Sequence, residues 1–159
     1  MVRYAQAVKG QASTVKKHLP FVCPDTNYIE RMIGSSEAIV ILAKDEEAIV
    51  GAVGGWLKGT PSGYDVEDET LKQHGAYHEA HLCWIGVSEE YREKGIGVTL
   101  IKKVCDWARE KGRKKIWTEA QRETTDFDAV AFYKRLGFKE IGCFRDNDGE
   151  EHVTMLKQL

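Results

Sequence analysis

Apolar residues along the chain follow two rhythms. Short continuous or alternating runs mark strands at Val2 to Val8, Ala38-Ile39-Val40-Ile41-Leu42-Ala43, Ala48 to Leu57, Tyr77 to Val87, Lys115 to Ala120, Lys139 to Arg145 and Glu150 to Leu156. The second rhythm is helical. Ile96, Leu100, Val104 and Trp107 recur near the helical period and predict a helix over Gly95 to Lys111, which Gly112 ends. Ala12 to Leu19 and Asn27 to Ile33 carry similar patterns on either side of a proline-containing break. Another helix is expected from a capping box at Thr125-Asp126-Phe127-Asp128, with Thr125 at the cap, running to about Leu136 before Gly137. Lys44-Asp45-Glu46-Glu47 and Asp146-Asn147-Asp148-Gly149 read as hairpin turns. The order β-α-α-β-β-β-α-β-α-β-β predicts a mixed α/β (α+β) fold. A central sheet of about six to seven strands would be flanked by about four helices, in a single domain over residues 1–159.

The stretch from Lys58 to Gly75 breaks the pattern. It is polar, punctuated by Gly59, Pro61, Gly63 and Gly75, and holds Asp65, Glu67, Asp68 and Glu69. It reads as a long loop. Its acids are either simply solvated or form a wall that attracts a cation.

Bulk composition narrows the functional classes. At 42% hydrophobic and 30% charged residues the chain is an ordinary globular one. A formal net charge of −2 argues against a nucleic-acid partner, which needs an excess of Lys and Arg. Apolar runs are too short to span a membrane, and the N-terminus lacks the long apolar core of a signal peptide. Cys23, Cys83, Cys105 and Cys143 are scattered and form no C-x-x-C pair, so neither a metal site nor a disulfide framework is expected. Reduced thiols in a cytoplasmic protein are the simplest reading.

The strongest chemical signal is a strand, a short link, and then glycines opening a helix. The first N–H groups of a helix lack internal partners, and the helix dipole is positive there. A diphosphate suits that end. Gly95 and Gly97 carry no β-carbon, so oxygens can approach the backbone, and Arg92 and Lys94 add positive charge. A P-loop is excluded because no G-x-x-x-x-G-K-[ST] string occurs. A dinucleotide fingerprint fails because Gly95-Ile96-Gly97-Val98-Thr99-Leu100 ends in leucine and the link from Val87 is too long. The pattern that fits is R-x-x-G-x-G.

Residues Ile85 to Leu100 resemble the acetyl-coenzyme A signature of the GNAT N-acetyltransferase superfamily. Ala129-Val130-Ala131-Phe132-Tyr133-Lys134-Arg135-Leu136-Gly137-Phe138 is similar to that family's late A-x-x-F-Y-x-x-x-G-F segment, in the usual order and separation. The resemblance implies acetyl-CoA as cosubstrate without a metal, and direct attack of an amine on the thioester. It implies a splayed gap between the strands Tyr77–Val87 and Lys115–Ala120. The coenzyme would be held by Ile85, Gly86, Val87, Arg92, Glu93, Lys94, Gly95, Ile96, Gly97 and Val98. Tyr133 stands where the family has its general acid. His81 stands where relatives often carry an acidic base, and Glu79 shares its face under simple alternation. Cys83 lies on that face too but reads as core. Asp126 departs from the family's usual asparagine, which removes an amide donor and adds charge. The acceptor is an amine of unknown identity, on a small molecule or a protein. An N-terminal protein amine and a non-catalytic coenzyme-binding module are the alternatives. Family members are often dimers, so a homodimer is one implied state.

Overall fold

The computed structural model describes residues 1–58, 64–122 and 127–159. The chain runs β1 (Val2–Gln6), α1 (Ala12–His18), α2 (Thr26–Ile33), β2 (Ala38–Asp45), β3 (Ala48–Trp56), α3 (Asp65–Gln73), β4 (Ala80–Val87), α4 (Ile96–Glu110), β5 (Lys115–Gln121), α5 (Ala129–Arg135), β6 (Lys139–Arg145) and β7 (Glu151–Gln158). Among the described residues, seven strands match the expected range, and their mixture of parallel and antiparallel pairing matches the expected class. Two compact units form, Met1–Trp56 with Leu82–Trp107, and Leu57–His81 with Ala108–Leu159.

In the first unit the strands follow the order β1-β2-β3-β4. The β1–β2 and β2–β3 pairs are antiparallel, in registers that include Tyr4↔Ala43 and Leu42↔Ala52. Helices α1 and α2 cover this sheet through Val15, Leu19, Ile29 and Met32, which meet Val40, Leu42, Ala52 and Trp84. Gly54 is required beneath Trp84, because a β-carbon there would overlap the indole. The indole Nε1 donates to Met32 Sδ at 3.3 Å. Asp25 starts α2, its Oδ1 accepting from the Tyr28 N–H at 2.7 Å, as a helix cap should.

In the second unit the order is β4-β5-β7-β6. β4 and β5 pair in parallel at Ala80↔Ile116 and His81↔Trp117. β7 lies antiparallel to both β5 and β6. Leu71, Ala76, Trp117 and Leu156 form the core.

The acidic segment is where the sequence reading needs its main correction. Asp65, Glu67, Asp68 and Glu69 lie on α3 rather than in a loop, and Asp65, Glu67 and Asp68 fill its first turn, where negative charge suits the dipole. This fifth helix was missed because it is short and mostly polar. Glu67 is buried, with Oε2 accepting from Thr154 Oγ1 at 2.7 Å, so it forms no solvated wall. The neighbouring strand starts at Ala80 and not at Tyr77, because Gly75 (φ 61°) and the Glu79 N–H to Ala76 carbonyl bond (3.0 Å) curl the chain first. At α5 the cap is Asp128, whose Oδ1 accepts from the Ala131 N–H at 2.9 Å; the helix begins after it. The expected cap Thr125 and the departure at Asp126 lie outside the described residues, as do Gly59, Pro61 and Gly63.

Candidate functional site

The link between β4 and α4 is built by local hydrogen bonds. Ser88 N–H donates to the Val50 carbonyl (2.8 Å), holding the end of β4 beside β3. A 3₁₀ turn follows at Glu89–Tyr91, closed by Tyr91 N–H to Ser88 (2.9 Å) and Arg92 N–H to Glu89 (3.1 Å). The Tyr91 hydroxyl donates to Asp45 Oδ2 at 2.8 Å and pins this turn to the β2–β3 hairpin. That bond, together with the N-terminal ammonium, holds the Asp45 carboxyl below its usual range.

Two left-handed residues then turn the chain into α4, Glu93 at φ 60° and Gly95 at φ 78°. The Gly95 carbonyl accepts from Thr99 N–H (3.0 Å) and Thr99 Oγ1 (3.1 Å), so the helix begins at once. The N–H groups of Ile96, Gly97 and Val98 therefore precede the first i→i−4 bond and stay available. No heavy atom lies within 4 Å of where a Gly95 β-carbon would stand, which leaves room in front of these donors. Ile96 and Leu100 anchor the helix by packing over Gly51, where a β-carbon would come within 3.0 and 3.2 Å of them. Arg92 and Lys94 are exposed beside the opening. Arg92 Nε donates to the Val87 carbonyl (3.4 Å), and Lys94 Nζ sits 4.8 Å from the Tyr91 ring centre. The arrangement is an anion cradle, with an open helix N-terminus, alternating backbone handedness and two flanking cations. Such a turn suits an anion of the diphosphate kind. Glu93 contributes a backbone turn to this cradle.

β4 alternates buried Leu82, Trp84 and Gly86 with half-buried His81, Cys83, Ile85 and Val87. Gly86 has to be glycine, since a β-carbon would overlap Val22 and press on Phe21 at 3.0 Å. Ile85, Gly86 and Val87 thus belong to the same unit as Arg92–Val98.

The three proposed catalytic side chains belong to the other unit, and each has its own surroundings. Tyr133 on α5 is buried, edge-on to Phe132 (5.5 Å) and Phe138 (5.3 Å). Burial pushes its phenol up to about 12, partly offset by a hydrogen bond with Thr118. Glu79 precedes β4, and its Oε2 accepts from the Lys114 N–H at 3.1 Å. His81 stacks on Trp117, with ring centres 3.7 Å apart and planes 6° from parallel. Loss of hydration pushes its imidazole down to about 3, so it is neutral at physiological pH.

That depression has a measurable consequence. Above pH 6.5 His81 is neutral both folded and unfolded, and the fold keeps its full stability. As pH falls below 6.5, the unfolded chain takes up a proton that the folded chain refuses until about pH 3. Stability then drops by about 1.4 kcal/mol per pH unit from this group. His81→Phe, which preserves the stack, should remove that component. Thermal melts from pH 7.5 to 4.5 should show the variant losing less Tm than the wild type; parallel curves would contradict the shift.

Sequence reasoning overlooked the Asp45–Tyr91 bond and the surroundings of Tyr28. The Tyr28 hydroxyl accepts from Trp56 Nε1 (3.0 Å) and contacts Cys83 Sγ (3.5 Å), beside a cavity of about 410 Å³. No local pattern announces contacts that depend on distant strands.

Comparison with known proteins agrees with this geometry. The model of the acetyltransferase (GNAT) family matches residues 13–138. Human N-acetyltransferase 8 is 30% identical over 101 residues, covering 64% of this chain and 38% of the human protein. The chain therefore spans well under half of that curated relative. Among solved structures, the ribosomal-protein-S18-alanine N-acetyltransferase of Escherichia coli has a TM-score of 0.70 at 14% identity, covering 99% of this chain and 94% of the other. A GNAT family acetyltransferase from Elizabethkingia anophelis with acetyl-CoA bound has a TM-score of 0.66 at 16% identity, covering 99% and 98%. At these identities the structures speak for the fold.

Proposed function

Because this chain belongs to the GNAT acetyltransferase family, we propose that it transfers acetyl from acetyl-CoA to a primary amine. The observation that carries the reading is the open N-terminus of α4 between Gly95 and Val98, flanked by Arg92 and Lys94. Those N–H groups and cations suit the coenzyme diphosphate, and the backbone of Ile85 and Val87 suits its amide-bearing arm as an added strand does. Acetyl-CoA supplies an activated thioester carbonyl, so the protein has to orient it and manage protons.

Tyr133 is the proton donor to the departing sulfur. Its phenol, raised to about 12, stays protonated across the whole working range. It gives up its proton only as negative charge builds on the sulfur. Of the two base candidates, His81 is too weakly basic to take a proton from an ammonium near pKa 10.4. Glu79 already accepts a backbone N–H. We assign loss of the amine proton to equilibration with bulk solvent, whose pH sets the free-amine fraction, and leave neutral His81 as a hydrogen-bond acceptor. Activity on an aliphatic amine should then rise about tenfold per pH unit from 7 to 9, following the free-amine fraction. It should show no alkaline decline due to Tyr133. A plateau beginning near pH 7 would restore a protein base.

No described helix is long and apolar enough to cross a membrane. None of the four cysteines is in a disulfide among the described residues, which suits the reducing cytoplasm, and we propose that location.

The deciding experiment couples calorimetry with acetyl-CoA to a thiol-release assay over small amines, a lysine peptide and a peptide with a free N-terminus. Binding with turnover on at least one amine is expected. Binding without turnover on any would favour a regulatory module.

A further inference from the structure

The cavity beside Tyr28 lies wholly within the first unit and is lined by Cys23, Pro24, Asp25, Tyr28, Cys83 and Trp84. Its volume of about 410 Å³ falls in the range of small-molecule sites, about 300–1,000 Å³. Two aromatic rings, a proline and two thiols give it apolar walls. Tyr28 is preformed, since Trp56 Nε1 and Cys83 Sγ fix its hydroxyl. Burial raises its phenol to about 12, so it brings no charge. Among the described residues, Asp25 is the one carboxylate in the lining. Its Oδ1 caps α2, and Oδ2 remains to meet a ligand. Cys83 shares a face of β4 with Ile85 and Val87, and stands about 7 Å along the strand from Ile85.

We propose that this cavity holds the acetyl acceptor, and that the acceptor is a monoamine carried on an aromatic or apolar stem, such as an arylalkylamine. The inference rests on the acetyl-transfer reading. The stem packs on Tyr28 and Trp84, and the ammonium pairs with Asp25 before it loses its proton to water. One carboxylate amid apolar walls suits one cation. The further charges of a polyamine find no second carboxylate among the described lining residues, so they gain nothing there.

The test compares 2-phenylethylamine with spermidine at saturating acetyl-CoA, by thiol release. The wild type should favour 2-phenylethylamine at least tenfold in kcat/KM. Asp25→Asn keeps an oxygen to cap α2 but loses the charge, and should raise the KM for 2-phenylethylamine about tenfold with the KM for acetyl-CoA unchanged. Cys23→Trp, at an exposed position on the cavity rim, should do the same by filling space. Quenching of tryptophan fluorescence by 2-phenylethylamine without coenzyme gives a second readout, which Asp25→Asn should weaken. Equal or better use of spermidine, or unchanged KM in both variants, would overturn this inference while leaving acetyl transfer intact. No turnover on any amine would instead count against the acetyl-transfer reading.

Discussion

Gly97→Glu should abolish acetyl-CoA binding without unfolding the protein. Gly97 lies in the first turn of α4, where its N–H is one of the three that precede helical pairing. A glutamate there favours the free helix, since it suits the dipole and has a better helix propensity than glycine. Toward a diphosphate its effect reverses, because it occupies the approach and adds like charge. Affinity by calorimetry should fall at least about 100-fold, equivalent to about 2.7 kcal/mol, with Tm equal to or above the wild type. Undiminished affinity would remove the diphosphate from this cradle.

Tyr133→Phe should lower kcat by about 100-fold and leave the affinity for acetyl-CoA within about twofold. The ring keeps its contacts with Phe132 and Phe138, so packing persists. The variant loses the hydroxyl and its hydrogen bond with Thr118, worth about 1 kcal/mol. A stability loss of that size alongside normal kcat would make Tyr133 a core residue and leave the leaving sulfur to be protonated by water.

The turn into α4 was legible in the sequence because it is local. Arg92, Gly95 and Gly97 sit close together in the sequence, and their proposed role follows from backbone geometry that glycine permits. Gly112 (φ 81°) ends α4 for the same local reason. Elements with strong apolar patterns, such as Ala38–Asp45 and Ile96–Glu110, fall close to their expected bounds. Features that depend on distant partners were not legible. α3 is polar on most faces and is held by Leu71 in the core and by Glu67, whose partner Thr154 is 87 positions away. His81 looked like a strand base until Trp117 proved to cover its ring and strip its hydration. The Tyr28 cavity joins residues of α2 and β4, with Tyr28 and Cys83 55 positions apart, which periodicity does not encode.

The central claim is that the open end of α4 receives the coenzyme diphosphate. The most direct measurement is an NMR titration of backbone amides with acetyl-CoA, and in parallel with pantetheine, which lacks the diphosphate. The amides of Ile96, Gly97 and Val98 should shift strongly with acetyl-CoA and scarcely with pantetheine, while those near Ile85 and Val87 respond to both. Saturable acetyl-CoA binding that leaves Ile96–Val98 unmoved would contradict the account.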